Sequence, residues 1–143
     1  MNRLNIDLGV EEYALGNGSV LRFNPTDPNL YARFLQLEPQ LQDLREELIR
    51  GSEQAADGLA VLKLLADTDR KFKELLTQTF GAENDFSQLL QGVNLLATAG
   101  NGMSVAENLL AALEPVLTQG AERFARTKTE AALEKARQRR ESL

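Results

Sequence analysis

The sequence contains no histidine and no cysteine. The first absence removes both the commonest general base and the commonest metal ligand. The second excludes disulfides and thiolate metal sites. Tryptophan is missing as well, and aromatics reach only 6% of the residues, so a core must be built mainly from Leu, Val and Ala. No apolar run approaches the roughly twenty residues of a membrane span, and Met1 leads into an alternating pattern unlike that of a signal peptide. The expectation is a cytosolic protein without membrane contact.

These absences bear on chemistry. Without His, a nucleophile must lean on a Lys or carboxylate base, and neither Ser-x-x-Lys nor Gly-x-Ser-x-Gly occurs. Asp67 and Asp69 lie two apart on a segment that reads as helix, so they do not share a face. The glycine and distal Glu of a calcium loop are missing after them. Glu46 and Glu47 are adjacent and point to different sides, which suits solvent. Gly16-Asn17-Gly18 lacks the Lys-Ser/Thr of a phosphate loop and no helix follows it, so it reads as a hairpin turn. Gly100-Asn101-Gly102 stands before a helix start and reads as a flexible connection, with an anion site as the less economical alternative. No catalytic, metal or cofactor site is expected, and the chain is not expected to be an enzyme.

What is present is a chain of 143 residues, enough for one domain with a modest core. Its charge is uneven: residues 1–120 hold 9 Lys/Arg against 17 Asp/Glu, whereas residues 121–143 hold 7 against 4. An acidic body argues against nucleic acid as the main partner, because phosphate binding needs a basic surface. The basic end fits a solvated helix terminus or a contact with an acidic partner.

Leu4 to Leu8 alternates apolar and polar, as does part of Val20 to Phe23, with Tyr13 and Leu15 between them. Strands are therefore expected near 4–8, 12–15 and 19–23, with Gly9 breaking or bulging the first. Asp27 is a good N-cap and Pro28 suits the first helical position. Leu30, Phe34, Leu37, Leu41, Leu44 and Leu48 then follow at spacings of 4, 3, 4, 3 and 4, an apolar seam suited to packing against another helix. Pro39 predicts a kink, or a break after Leu37, and Gly51 an end. A second helix is expected over 53–80, with Val61, Leu65, Thr68, Phe72, Leu75 and Thr79 on one face, widened by Leu62, Leu76 and Phe80. A third, over 84–91, would be capped by Asn84 or Asp85. A fourth opens at Ser104, where Ser104-Val105-Ala106-Glu107 matches a capping box, and runs to about residue 125 with a kink at Pro115. The fold class is thus α+β, mostly α. A small N-terminal antiparallel hairpin or meander packs on a bundle of about four helices, with one domain over 1–126 and a charged helical or disordered tail over 127–143.

The opening Met1-Asn2-Arg3-Leu4-Asn5-Ile6-Asp7-Leu8-Gly9-Val10-Glu11-Glu12-Tyr13, followed by Val20-Leu21-Arg22-Phe23-Asn24-Pro25-Thr26-Asp27, resembles small proteins in the tail gene clusters of phages and prophages of Gram-positive bacteria. Phe80-Gly81 and the stretch Asn94 to Leu113, including Ala106-Glu107-Asn108-Leu109-Leu110, fit the same pattern. The resemblance covers most of residues 1–117. It implies a tail assembly chaperone of a long-tailed phage, small, helical and located in the cytoplasm of the bacterial host. Such proteins are thought to coat the long, hydrophobic, helical tape measure protein until the tail tube polymerises around it, and they are generally absent from the finished virion. Many are also made in a longer, frameshifted form. Pro39 and Pro115 depart from the uninterrupted helices of such proteins.

The partner implied by the resemblance is the tape measure protein, with the tail tube protein and a second copy of the chain as further possibilities, and neither nucleic acid nor membrane. The residues placed at a partner surface are Leu30, Phe34, Leu37, Leu41, Leu44, Leu48, Phe72 and Leu76. Two arrangements remain open for them. The two long helices either pack on each other as an antiparallel pair, or leave part of a face open for a partner helix. The competing function is a structural tail-completion or connector protein retained in the virion.

Overall fold

The structure, a computed structural model, describes residues 1–142. It is mostly helical, with a two-stranded antiparallel sheet near the N-terminus packed on four helices. The strands are β1 (Glu11–Ala14) and β2 (Val20–Phe23), and the helices are α1 (Pro28–Gln54), α2 (Gly58–Phe80), α3 (Phe86–Leu89) and α4 (Val105–Glu141). In the sheet Glu11 faces Phe23, Glu12 faces Arg22 and Tyr13 faces Leu21. Gly16 and Gly18 take φ of 81° and 91°, which an L-residue side chain disfavours, and so close the hairpin.

The strand expected over residues 4–8 does not form. Residues 1–10 carry no regular structure. Alternation marks a strand only where a neighbouring strand exists to pair with it, and none lies beside this segment. Gly9, at φ 68°, turns the chain, and its amide donates to Asp7 Oδ1 at 2.8 Å.

Asp27 caps α1 through Oδ1, which accepts from the Asn29 amide at 2.9 Å, with Pro28 at the first turn. The helix does not break at Pro39. Proline deprives the Leu35 carbonyl of its amide partner, but Leu35 and Pro39 both lie on the exposed face, where water can take that carbonyl. Pro115 sits the same way inside α4, with Ala111 exposed before it. Gly51 does not end α1, which runs three residues further. A Cβ on Gly51 would stand 2.6 Å from Leu64 Cδ2, so its lack of a side chain admits Leu64 of α2. Residues 53 and 54, expected in the second helix, therefore belong to the first. Asp57 caps α2 by accepting from the Ala60 amide at 2.9 Å.

The third helix is a single turn, shorter than expected, and Asp85 caps it. Gln91 and Gly92 end it in left-handed conformations, φ 53° and 78°. The capping box at Ser104 and Glu107 is formed. α4 continues well beyond residue 125 to Glu141, so the tail is helical over the described residues; Leu143 lies outside them. Ala, Glu, Lys, Arg and Gln dominate this stretch and all favour helix. Ion pairs one turn apart, such as Arg137 with Glu134 at 2.6 Å, add to it.

The buried core joins Leu21 and Phe23 from β2, Leu30 and Leu37 from α1, Phe72, Leu76 and Phe80 from α2, and Leu109, Leu113 and Leu117 from α4, with Phe86 and Leu95 between them. Aromatic rings run through it from the sheet to α3. Tyr13 stacks on Phe23 with centroids 4.7 Å apart, Phe23 meets Phe80 at 5.2 Å, and Phe80 meets Phe86 at 5.8 Å. Gly120 of α4 is buried against the Pro25 carbonyl, where a Cβ would not fit. That contact sets how closely α4 approaches the strand-to-helix joint.

Candidate functional site: a groove between α1 and α4

α1 and α2 form the principal helix pair, joined by a three-residue turn. Their packing divides the eight residues singled out in the sequence. Leu30, Leu37, Phe72 and Leu76 are buried in the core. Phe34, Leu41, Leu44 and Leu48 are only half-buried, because α4 meets α1 over a short stretch and then diverges.

Two adjoining hollows lie along this divergence and share Glu38, Leu41 and Leu110. The first, of about 370 Å³, is lined by Tyr31, Phe34, Leu35 and Leu37 of α1 and by Glu114 and Thr118 of α4. The second, of about 270 Å³, adds Leu44, Arg45 and Leu48, with Phe72, Leu96 and Ala106 on its other sides. Together they make a groove with an apolar floor and with Glu38, Glu107 and Glu114 among its charged lining. At 1.5 Å per residue, the α1 wall from Phe34 to Leu48 is about 20 Å long, enough for four turns of a bound helix. The α4 wall was not identified in the sequence. Leu110 belongs to an Ala106–Leu110 pair spaced i, i+4, which the stronger Leu109–Leu113–Leu117 stripe beside it obscures.

The other sequence features have internal roles. Asp69 accepts from the Leu95 amide at 2.7 Å and pairs with Lys73 at 2.8 Å, both side chains being nearly buried. It thus ties the loop after α3 to α2, while Asp67 faces solvent. Asn101 pairs with Asn108 across the loop before α4. The first amides of α4 are all engaged: Val105 donates to the Ala97 carbonyl, Ala106 to that of Leu95, Glu107 to Ser104 Oγ and Asn108 to the Ser104 carbonyl. That helix terminus has no amide left for an anion. Among the described residues, no three carboxylates gather as a metal site. Asn17 in the hairpin turn donates to the Leu89 carbonyl at 2.8 Å, and Gln91 donates back to the Asn17 carbonyl at 2.7 Å, so the turn is docked on α3. Among the described residues, no helix is long and apolar enough to cross a membrane.

Tyr13 has a displaced ionisation. Burial, then the hydrogen bond it donates to Glu11 Oε2 at 2.7 Å and the charge of that carboxylate, push its phenol up to about 12, against the opposing pull of Arg123. Arg123 also pairs with Glu11 at 3.3 Å, fastening α4 to β1.

No family model matches the chain, and neither does a curated protein or a solved structure.

Proposed function

We propose that this chain is an interaction protein of the tail assembly chaperone type, which holds an apolar helical segment of the tape measure protein in the α1–α4 groove and keeps it soluble until the tail tube polymerises. It would act in the cytoplasm of the bacterial host and be left out of the finished virion, with the tail tube protein as a further partner. The observation that carries the reading is the division of the Leu30-to-Leu48 seam: Leu30 and Leu37 build the core, while Phe34, Leu41, Leu44 and Leu48 line an open groove long enough for about four turns of helix. Glu38, Glu107 and Glu114 suit a partner helix whose apolar stripe is flanked by Lys or Arg. Phe34, Leu41, Leu44 and Leu48 are only half-buried where they line the groove, so one contact is weak. A tape measure offers many helical segments, and many weak contacts along one chain add up while each remains reversible when the tube displaces them.

The test is co-expression with the tape measure protein encoded beside this chain. Wild type should give a soluble complex, and Leu44→Asp should reduce capture by about tenfold or more while the protein itself stays folded. A tape measure that stays insoluble, with nothing captured by the wild type, would overturn the reading. Mass spectrometry of purified particles separates it from the structural alternative. Stoichiometric retention in the virion would replace the chaperone with a tail-completion or connector protein.

A further inference from the structure

The chain carries a strand pattern that forms no strand and a sheet edge that pairs with none. Leu4, Ile6, Leu8 and Val10 alternate with polar residues along the N-terminal arm, yet they are 83, 71, 68 and 48% exposed. Four large apolar side chains repeated with the strand period and left in solvent are a surface in want of cover.

The edge is on β1. The Leu15 amide donates to the Ser19 carbonyl at 3.0 Å, which fixes the phase of the ladder: Tyr13 and Glu11 exchange hydrogen bonds with β2, and Glu12 and Ala14 turn their amides and carbonyls outward. The opposite edge confirms the phase. There Arg22, the partner of Glu12, also points outward, and both its amide and its carbonyl are taken by the Asn84 side chain, at 2.9 and 2.7 Å. The fold thus closes the β2 edge with a side chain and leaves the backbone groups of Glu12 and Ala14 without a partner among the described residues. A trough of about 390 Å³ lies between Glu11 and Tyr13 of β1 and Val116, Gly120, Glu122 and Arg123 of α4, with Pro25 in its wall.

The arm does not serve its own edge. Asn24, which follows β2, donates to the Leu8 carbonyl at 2.9 Å, and Gly9 sits so close to it that a Cβ would stand 2.7 Å from Asn24 Nδ2. Asn24 thus holds Leu8 and Gly9 beside the end of β2, and among the described residues no hydrogen bond joins the arm to the outer edge of β1.

We propose that the arm of one molecule adds to the open β1 edge of a second copy as its third strand. Leu4, Ile6 and Leu8 then lie on the Tyr13 face, over the trough. Arg3, Asn5 and Asp7 fall on the opposite face, beside the Glu12–Arg22 ion pair (3.4 Å). Each molecule offers one strand and one edge, so a reciprocal exchange about a two-fold axis satisfies both and leaves neither arm nor edge free. The occupant is a second copy because the strand-patterned arm and the unpaired edge occur once each among the described residues of the same chain.

The purified chain alone tests this by sedimentation equilibrium from micromolar to submillimolar concentration. Wild type should associate. Ile6→Lys, which spoils the arm, and Glu12→Pro, which blocks the edge at an amide with no internal partner, should each be monomeric, with far-ultraviolet circular dichroism and melting temperature retained. Ala14→Pro is a second edge block should Glu12→Pro fold poorly. A one-to-one mixture of Ile6→Lys and Glu12→Pro should associate again, because one variant keeps a sound edge and the other a sound arm. A monomeric wild type, an edge-blocked variant that still associates, or a mixture that stays monomeric would each overturn the proposal. None of these outcomes depends on the tape measure reading, since no other protein is present.

Discussion

Asn84 shows how much one side chain can carry. It is almost fully buried, yet every polar atom is used: Oδ1 accepts from the Arg22 amide, and Nδ2 donates to the carbonyls of Arg22 and Phe80. Its amide group imitates a strand of one residue and seals β2 to the end of α2. Asn84→Ala strands three backbone groups, at least one of them out of reach of water. A loss of about 2–4 kcal/mol is expected in urea denaturation. This role was not legible in the sequence, where Asn84 reads as a helix cap, because its partner Arg22 is 62 positions away. Tyr13 gives the residue scale its pH dependence. Its phenol ionises near 10 in the unfolded chain and near 12 in the fold. Between those values the folded state retains a proton that the unfolded state has lost, so the contribution is whole below pH 10 and fades as pH rises through about 12. Thermal melts across that window should show a falling midpoint, and Tyr13→Phe should flatten the fall.

At the level of elements, the seam on α1 illustrates what periodicity can and cannot say. Spacings of 4 and 3 identify a helix face, and the face exists as read. They cannot say how far along that face a neighbour reaches, since this depends on where α4 diverges. Leu37→Asp and Leu44→Asp therefore separate two roles of one stripe. The first places an unpaired charge in a site that is 1% exposed and should cost more than about 4 kcal/mol, enough to unfold the domain. The second lies in the half-exposed groove and should leave a cooperative melt close to that of the wild type. The prolines teach the complementary lesson. Pro39 and Pro115 warn of breaks, but a helix survives a proline when the carbonyl it orphans faces water. The arm shows the reverse: a sound strand pattern over Leu4 to Leu8 yields no strand within one molecule, because pairing needs a neighbour that local sequence does not supply.

For the molecule as a whole, the body and the C-terminal extension are physically distinct. Residues 125–141 of α4 are exposed throughout and bury no apolar face, whereas the helix up to Phe124 contributes to the packed body. Truncation after Arg126 should change unfolding stability by no more than about 1 kcal/mol, the worth of an exposed contact such as Lys128 over Phe124 at 5.5 Å. It would also remove most of the basic end and leave the acidic body nearly intact. A chemical denaturation curve with unchanged midpoint checks the first effect. The sequence alone determined the fold class, the hairpin turn, the caps at Asp27 and Ser104 and the apolar faces of the long helices, since these depend on residues within a turn or two of each other. The exclusion of thiolate and imidazole chemistry likewise followed from composition. Only the tertiary structure decided which residues of the leucine seam are core and which line the groove, that Asn84 closes one sheet edge while β1 leaves the other open, and that the arm stands apart from its own sheet. Each of those turns on distances between residues far apart in the chain, and periodicity carries no information about them.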